Sequence, residues 1–208
     1  LNNYYSTEST HDTISLDVFN SSFRYNITSN KDSIVQNFNL GWDSEILSYK
    51  NNLIDTILTN QSVCLDFSKS KRNNSFRLGG NFYPLGYKKN NYEINFLYES
   101  FILKDKKLKL SADLSEFRPV FEINNYQSNH HLWDNKQFNN ILFWNASAKI
   151  SAGLFSLKSQ ISQAYKPIYF TEYSEPSQFD SSLQVIQSSL NYNLIKKKYN
   201  FYTEIVYQ

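Results

Sequence analysis

The feature that most constrains the fold is an alternation of apolar and polar residues over residues 34–46. One parity carries the apolar side chains Ile34, Phe38, Leu40, Trp42 and Ile46, and the other carries Asn37, Asn39, Gly41, Asp43 and Glu45. Successive side chains of a strand point to opposite faces, so the pattern predicts a β-strand with one apolar face. The alternation covers about thirteen residues, whereas an average strand has about five to six. Such a length is typical of a barrel wall.

Similar alternating segments follow one another along the chain. They predict about ten strands, the others being residues 13–28, 62–69, 76–82, 92–104, 108–117, 138–150, 154–165, 183–194 and 199–207. Most connectors are short and polar, so consecutive strands are expected to pair as antiparallel hairpins. The predicted fold class is therefore all-β, an antiparallel up-and-down transmembrane β-barrel.

The polar parity repeats from strand to strand, which gives the predicted sheet one apolar and one wet face. Transmembrane barrels turn the apolar face to lipid and the polar face to the lumen. The lipid-facing candidates are Phe38, Leu40 and Trp42. The lumen-lining candidates are Asn37, Asn39, Asp43, Glu45, Glu93, Asn95, Glu99, Lys109 and Asp113. Charges of both signs on the wet face predict weak ion selectivity.

Two segments interrupt the simple pattern. Residues 13–28 change parity between Val18 and Phe19, which predicts a β-bulge near Phe19. Residues 44–58 place apolar side chains at spacings compatible with a short amphipathic helix, although the pattern favours a strand end, a loop and a second short strand. Two long connectors, 118–137 and 166–182, predict long loops on one side of the barrel and tight turns on the other.

Aromatic side chains lie beside many of the predicted turns. Amphipathic rings favour the headgroup level of a membrane, so they predict interfacial girdles, with cross-strand packing in a soluble sheet as the alternative. The residues concerned are Tyr49, Tyr83, Tyr87, Tyr92, Trp133, Trp144, Tyr165, Tyr169 and Tyr199. The sequence has no apolar stretch of the roughly 18 residues that a membrane helix needs, so strands would have to cross the membrane.

Charge and reactive residues argue against several function classes. The sequence has 21 basic and 19 acidic residues and one short lysine run, residues 196–198, which is not the footprint of a nucleic-acid-binding protein. The single Cys64 excludes a disulfide framework within the chain. Adjacent His130 and His131 would point to opposite faces of an extended chain, so no metal site is expected. No nucleophile or phosphate-binding motif is present, and we expect no enzyme activity and no cofactor.

Several strings in the second half of the chain resemble one known family. Residues 128–135 read SNHHLWDN and lead into a strand, residues 166–170 read KPIYF, residues 183–190 read LQVIQSSL, and the last three residues are VYQ. This order resembles the porins of Bacteroidota outer membranes. The resemblance implies that residues 1–208 are a segment of a single, larger barrel domain in the bacterial outer membrane. The implied partners are outer-membrane lipid, small polar solutes or ions, and other outer-membrane proteins.

Two other readings remain open on the residues alone. One is a soluble or surface β-barrel or β-sandwich that binds or interacts without catalysis, and its apolar parity would point inward. The other is an outer-membrane barrel enzyme, which would need a His or Ser with partners converging across strands. The direction of Phe38, Leu40 and Trp42 separates the membrane barrel from the soluble module.

Overall fold

A computed structural model describes residues 14–51, 54–103, 105–127, 132–134, 138–196 and 199–207. Ten long strands dominate it: β1 (Ser15–Lys31), β2 (Ile34–Lys50), β3 (Asp55–Lys71), β4 (Asn74–Gly86), β5 (Tyr92–Leu103), β6 (Lys106–Phe117), β9 (Ile141–Ala152), β10 (Phe155–Tyr165), β13 (Ser182–Lys196) and β14 (Tyr199–Tyr207). The shorter elements are α1 (Phe121–Asn124), β7 (Asn125–Gln127), β8 (Leu132–Asp134), β11 (Ile168–Phe170) and β12 (Pro176–Gln178).

The ten long strands form one antiparallel sheet in chain order. Its order is β1-β2-β3-β4-β5-β6-β9-β10-β13-β14, and the short strands form separate two-stranded ribbons, β7 with β8 and β11 with β12. Each long strand therefore pairs with the next long strand, because local hairpins are the shortest way to satisfy both backbone edges. The all-β, antiparallel up-and-down prediction is confirmed.

The segment that resembled a helix is part of two long strands. β2 continues to Lys50 and β3 begins at Asp55, so two of the apolar positions that suggested a helix, Leu47 and Leu58, lie opposite each other in the sheet. The helix is absent, and the expected second short strand is the beginning of β3. The predicted 62–69 strand was too short because Thr59 and Gln61 interrupt its apolar parity without interrupting its pairing with β2.

The predicted bulge near Phe19 is wrong. The register of β1 with β2 runs without a break from Ser15 opposite Lys50 to Lys31 opposite Ile34. The parity changes because apolar residues switch faces: Leu16 pairs with Tyr49 and Val18 with Leu47 on the otherwise polar face. The register shifts that do occur lie between Gln61 and Val63 in β3 and between Phe101 and Leu103 in β5.

The connections between long strands are sorted by length onto the two ends of the sheet. At one end, the tight-turn end, the strand bounds leave only residues 32–33, 72–73, 104–105, 153–154 and 197–198 between neighbours. At the other, the long-loop end, the connections are 51–54, 87–91, 118–140 and 166–181. Asp32 and Ser33 both have positive φ, 54° and 61°, as the mirror-image turn of a two-residue hairpin requires. The predicted asymmetry of loop lengths is present.

Candidate pore wall

The register places all nine lumen-lining candidates on one face of the sheet, the polar face. Asn39 on β2 pairs with Asp66 on β3, Asp66 with Gly79 on β4, and Gly79 with Asn95 on β5. Asn95 then pairs with Asp113 on β6. The remaining candidates occupy the same parity of these strands: Asn37, Asp43, Glu45, Glu93, Glu99 and Lys109.

The three lipid-facing candidates share the opposite, apolar face. Phe38 pairs with Phe67, Leu40 with Leu65 and Trp42 with Val63. No other layer covers them in the described structure, since Phe38 is 38% exposed and Leu40 and Trp42 are each 41% exposed. Their contact with lipid stays a prediction, but their side chains do not converge on a dry core. Among the described residues, the one fully buried hydrophobic side chain is Tyr49, on the other face.

An arginine on β1 forms an ion pair with Asp43, a lumen candidate on β2. The Arg24 guanidinium binds both carboxylate oxygens of Asp43, with Nη2 donating to Oδ2 at 2.9 Å. Cys64 Sγ also donates to Asp43 Oδ2, at 2.8 Å. Gly41 makes this reach possible, because a Cβ there would stand 2.7 Å from Arg24. The sequence prediction did not include Arg24 among the lumen candidates, because the bulge that was wrongly predicted in β1 left the facing of that strand unresolved.

Two further ion pairs follow along the polar face. Arg77 Nε donates to Asp66 Oδ2 at 2.6 Å, and Lys88 Nζ donates to both oxygens of Glu45 at 3.0 and 3.1 Å. Asn60, only 2% exposed, donates a further hydrogen bond to Glu45 at 2.6 Å. The polar face of β1 to β4 thus carries matched charges, and an open cavity of ≈ 450 Å³ lies beside them.

Beyond β5 the polar face carries hydroxyl and amide groups bonded across strands. Asn145 on β9 donates to Asp113 on β6 at 3.1 Å, and Ser162 on β10 donates to Asn145 at 3.2 Å. Ser111 and Ser147 share a hydrogen bond of 2.8 Å one row further along. Such groups bind water and polar solutes readily, and a wet face of this kind suits a lumen better than a lipid boundary.

The helix α1 folds over the polar face at the long-loop end. Phe121 packs edge-on against Tyr49 at 5.2 Å between ring centroids and against Tyr87 at 5.9 Å. The Tyr87 hydroxyl donates to the Pro119 carbonyl at 2.8 Å and accepts a bond from Asn124 at 2.6 Å. Burial raises the pKa of the Tyr87 phenol still further above neutral. We call Tyr49, Tyr87 and Phe121 the mouth cluster.

The large apolar side chains of the apolar face form a band, the apolar band, that crosses the sheet obliquely. Its residues centre on Phe23 in β1, Leu65 in β3, Ala146 to Ala148 in β9 and Leu190 in β13. The hydrogen-bonded row that starts at Phe23 instead reaches Ser182 on β13; it passes through Trp42, Val63, Phe82, Tyr92, Glu116, Leu142 and Tyr165.

On β13 the end of this row, Ser182, is displaced along the strand from the centre of the apolar band, Leu190. This displacement gives the angle by which the strands are tilted relative to the band. Ser182 and Leu190 are separated by about 26 Å at a rise of roughly 3.3 Å per residue, and the strands from β1 to β13 span about 38 Å at roughly 4.8 Å per strand. A level apolar band therefore requires the strands to tilt by about 35° from its normal, close to the roughly 35 to 45° of outer-membrane barrels.

This geometry agrees with a comparison against protein families, which matches residues 1–208 to the family described as "Putative porin". The chain belongs to that porin family. No curated protein and no solved structure matches the chain. The family resemblance in the sequence is confirmed at the level of the porin family, and the bacterial group stays a prediction.

The porin wall corrects part of the girdle prediction. Tyr49 is fully buried in the mouth cluster, Tyr87 packs with it, and Tyr83 lines the polar face near Lys88, so these three are not girdle residues. They were misplaced because a turn-adjacent aromatic can face either side of a sheet. Tyr92, Trp144 and Tyr165 lie on the apolar-face parity, and Tyr169 is 49% exposed on β11. The side chains of Trp133 and Tyr199 lie outside the described residues, and His130 and His131 do so entirely.

Two absences apply to the described part of the porin chain. No group of three or more His, Cys, Asp or Glu side chains there is placed to hold a metal ion. No helix among those residues is long and apolar enough to cross a membrane.

Proposed function

We propose that this chain forms part of the wall of an outer-membrane β-barrel that lets small polar solutes or ions diffuse across. The observation that carries the proposal is the division of one ten-stranded sheet into an exposed apolar face and a polar face rich in ion pairs. A membrane barrel needs both, because lipid accepts the apolar side chains and the lumen keeps the charges hydrated. Residues 1–208 are proposed to lie within one barrel domain.

The arrangement of loops and edges supports a membrane barrel. Tight turns at one end and long loops at the other match the periplasmic and outer sides of such barrels. β1 and β14 each pair with one neighbour in the described sheet. Lipid cannot satisfy open backbone edges, so the inserted form must pair these two edges, either with each other or with further strands. Lipid and permeating solutes are the partners that follow, and other outer-membrane proteins remain possible neighbours.

The soluble binding module is less compatible with the facing of the side chains. It would turn Phe38, Leu40 and Trp42 into a core, whereas each of them is exposed by 38% or more. The proposal includes no catalytic step, no cofactor and no nucleic-acid partner.

The native thiol of Cys64 provides the test. It lies on the polar face and lines the cavity there. A charged methanethiosulfonate reagent, added to the full-length protein conducting in a planar bilayer, should attach to Cys64 and lower the single-channel conductance. Cys64→Ser should abolish this response.

The neighbouring residue supplies a matched control. Leu65 lies on the apolar face and is 50% exposed. With Leu65→Cys in the Cys64→Ser background, the same reagent should leave the current unchanged. If reconstituted protein conducts no current, the pore proposal fails. If mass spectrometry shows Cys64 modified while the current stays the same, the polar face is not the conduction path.

A further inference from the structure

The charges of the polar face are not evenly distributed along the sheet. On β1 to β4 the carboxylates of Asp43, Asp66 and Glu45 each bind a cation, from Arg24, Arg77 and, in the loop after β4, Lys88 respectively. These pairs cancel at short range and leave little net field in front of that part of the wall.

A row of three lysines crosses the next part of the wall. Lys109 on β6 pairs with Lys149 on β9, and Lys149 pairs with Lys158 on β10. Directly opposite residues have Cβ atoms roughly 4.5 to 5.5 Å apart, and like charges at that separation repel. Three cations in one row are therefore unfavourable for the sheet alone, and an external anion would relieve the repulsion.

The available carboxylate serves only one end of this row. Glu99 lies 3.7 Å from Lys109, but it also binds Lys107 at 3.0 Å. Within the part of the chain that the structure describes, Lys149 and Lys158 have no carboxylate within ion-pair distance. Apart from the row itself and Lys107, their neighbours on the polar face are uncharged, namely Ser147, Gln160, Ser151, Ser156 and, beyond Lys158, Ser189.

The row also lies near the middle of the apolar band. The band is centred on Ala146 to Ala148 in β9, immediately before Lys149, and Lys158 lies between Leu157 and Ser159 in β10. If the apolar band marks the membrane, these ammonium groups stand at mid-height of the lumen. A charge there acts on every permeating ion, because low-dielectric walls confine its field.

We infer that Lys109, Lys149 and Lys158 form an anion-attracting row that favours solutes bearing a carboxylate or phosphate group. The inference rests on the proposed pore and names its solute class. It differs from the weak selectivity that the mixed composition suggests, because opposite charges cancel on β1 to β4, whereas Lys149 and Lys158 on β9 and β10 have no carboxylate within ion-pair distance in the described structure.

Ion selectivity gives the first test. The full-length protein in a planar bilayer should pass chloride and inorganic phosphate in preference to potassium. Lys149→Gln and Lys158→Gln should each lower the ratio of chloride to potassium permeability by at least about twofold, through loss of a partly screened lumen charge. Lys106→Gln, an exposed lysine beside the β5–β6 turn, is the matched control and should leave the ratio unchanged. If the channel conducts but neither Lys149→Gln nor Lys158→Gln changes its ion selectivity, the inference is overturned and the pore proposal stands.

A second measurement does not depend on conduction. Ser151→Cys in the Cys64→Ser background places a single reporter thiol of this segment two residues from Lys149 on the same face. The measured quantity is the rate of reaction with the anionic sulfonate form of a methanethiosulfonate reagent divided by the rate with the cationic trimethylammonium form. This rate ratio should be higher for the protein thiol than for a free thiol in solution. Each lysine removed should lower this rate ratio by about threefold, as expected for a unit charge roughly 7 Å away under partial screening. An unchanged ratio overturns the lysine row even in protein that carries no current.

Discussion

Gly41 illustrates how single residues shape the polar face. Its missing side chain leaves the space through which Arg24 reaches Asp43. Gly79 has a similar role two strands away, because a Cβ there would stand 2.7 Å from the Asn95 side chain and 3.1 Å from Asp66. Small residues on β2 and β4 therefore admit larger polar side chains from neighbouring strands, which keeps the wall smooth and its charges paired.

Adjacent residues on β2 should respond in opposite ways to the same substitution. Leu40→Arg puts a charge on the apolar face and should reduce the free energy of unfolding by roughly 2 to 4 kcal/mol if the site is near mid-bilayer. Asn39→Arg puts the same charge on the polar face near Asp66, where it stays hydrated, and should cost less than about 1 kcal/mol. Urea unfolding of the full-length protein in lipid vesicles measures both. Equal destabilisation would show that the two faces are not lipid and lumen.

At the scale of the strand, the end of β4 depends on a glycine. Gly86 has φ of +104° and follows the register shift opposite β3, and an added Cβ would collide with the carbonyl oxygen of Thr59. Gly86→Ala should therefore lower the free energy of unfolding by about 3 kcal/mol or more, through an unfavourable backbone conformation and a forced displacement.

Gly153 is the matched control for Gly86. It has φ of +53° in a tight turn, and a Cβ there would meet nothing within 4 Å. Alanine tolerates that region at a cost of roughly 1 kcal/mol. Urea unfolding in lipid compares the two variants. Similar losses in the free energy of unfolding would mean that the backbone around the register shift between β3 and β4 is not tightly packed.

The mouth cluster gives a second prediction at this scale. Phe121→Ala removes the ring that packs between Tyr49 and Tyr87, so α1 should be held less firmly over the polar face. In the proposed pore, single-channel conductance should rise, because α1 would lie over the polar face for less of the time. Phe170→Ala, at a side chain 57% exposed on β11, is the control and should leave conductance unchanged. Unaltered current in folded Phe121→Ala protein would place α1 outside the conduction path.

The sequence predicts elements of this wall well where the information is local. The alternation of apolar and polar residues over β2 indicates both that the segment is a strand and which face each side chain takes, and the short polar turns indicate which strands are neighbours. For this reason the nine lumen candidates share one face. The same reasoning fails where a residue's role depends on a distant partner. Leu16 and Val18 lie opposite Tyr49 and Leu47 of β2, and the polar stretch at Thr59 continues a strand only because β2 is there to pair with it.

The inward position of α1 carries no comparable local signal. Residues 121–124 are too few for a helical period to be visible, and their place over the polar face is determined by Tyr87, which is more than thirty residues earlier in the chain. The row of lysines was missed for a related reason. Lys109 is far from Lys149 and Lys158 in sequence, and only the register brings the three together.

At the scale of the whole molecule, the oblique apolar band predicts the orientation of the strands in a membrane. Strands tilted by about 35° from the bilayer normal would make the band level. Polarised infrared spectroscopy of the full-length protein in aligned bilayers reports this angle through the dichroism of the amide I band. A tilt of roughly 35 to 45° is expected, whereas strands parallel to the normal would contradict the assignment of the apolar face to lipid.

The tilt also has a consequence for the bore. A strand inclined by about 35° occupies roughly 5.9 Å of circumference instead of the roughly 4.8 Å between upright strands. The ten long strands therefore account for about 59 Å of perimeter, and a ring of that perimeter is about 19 Å wide between backbones. Each additional strand widens it by about 1.9 Å. The solute that fits is thus decided by how many strands complete the ring and by how far α1 reaches across it.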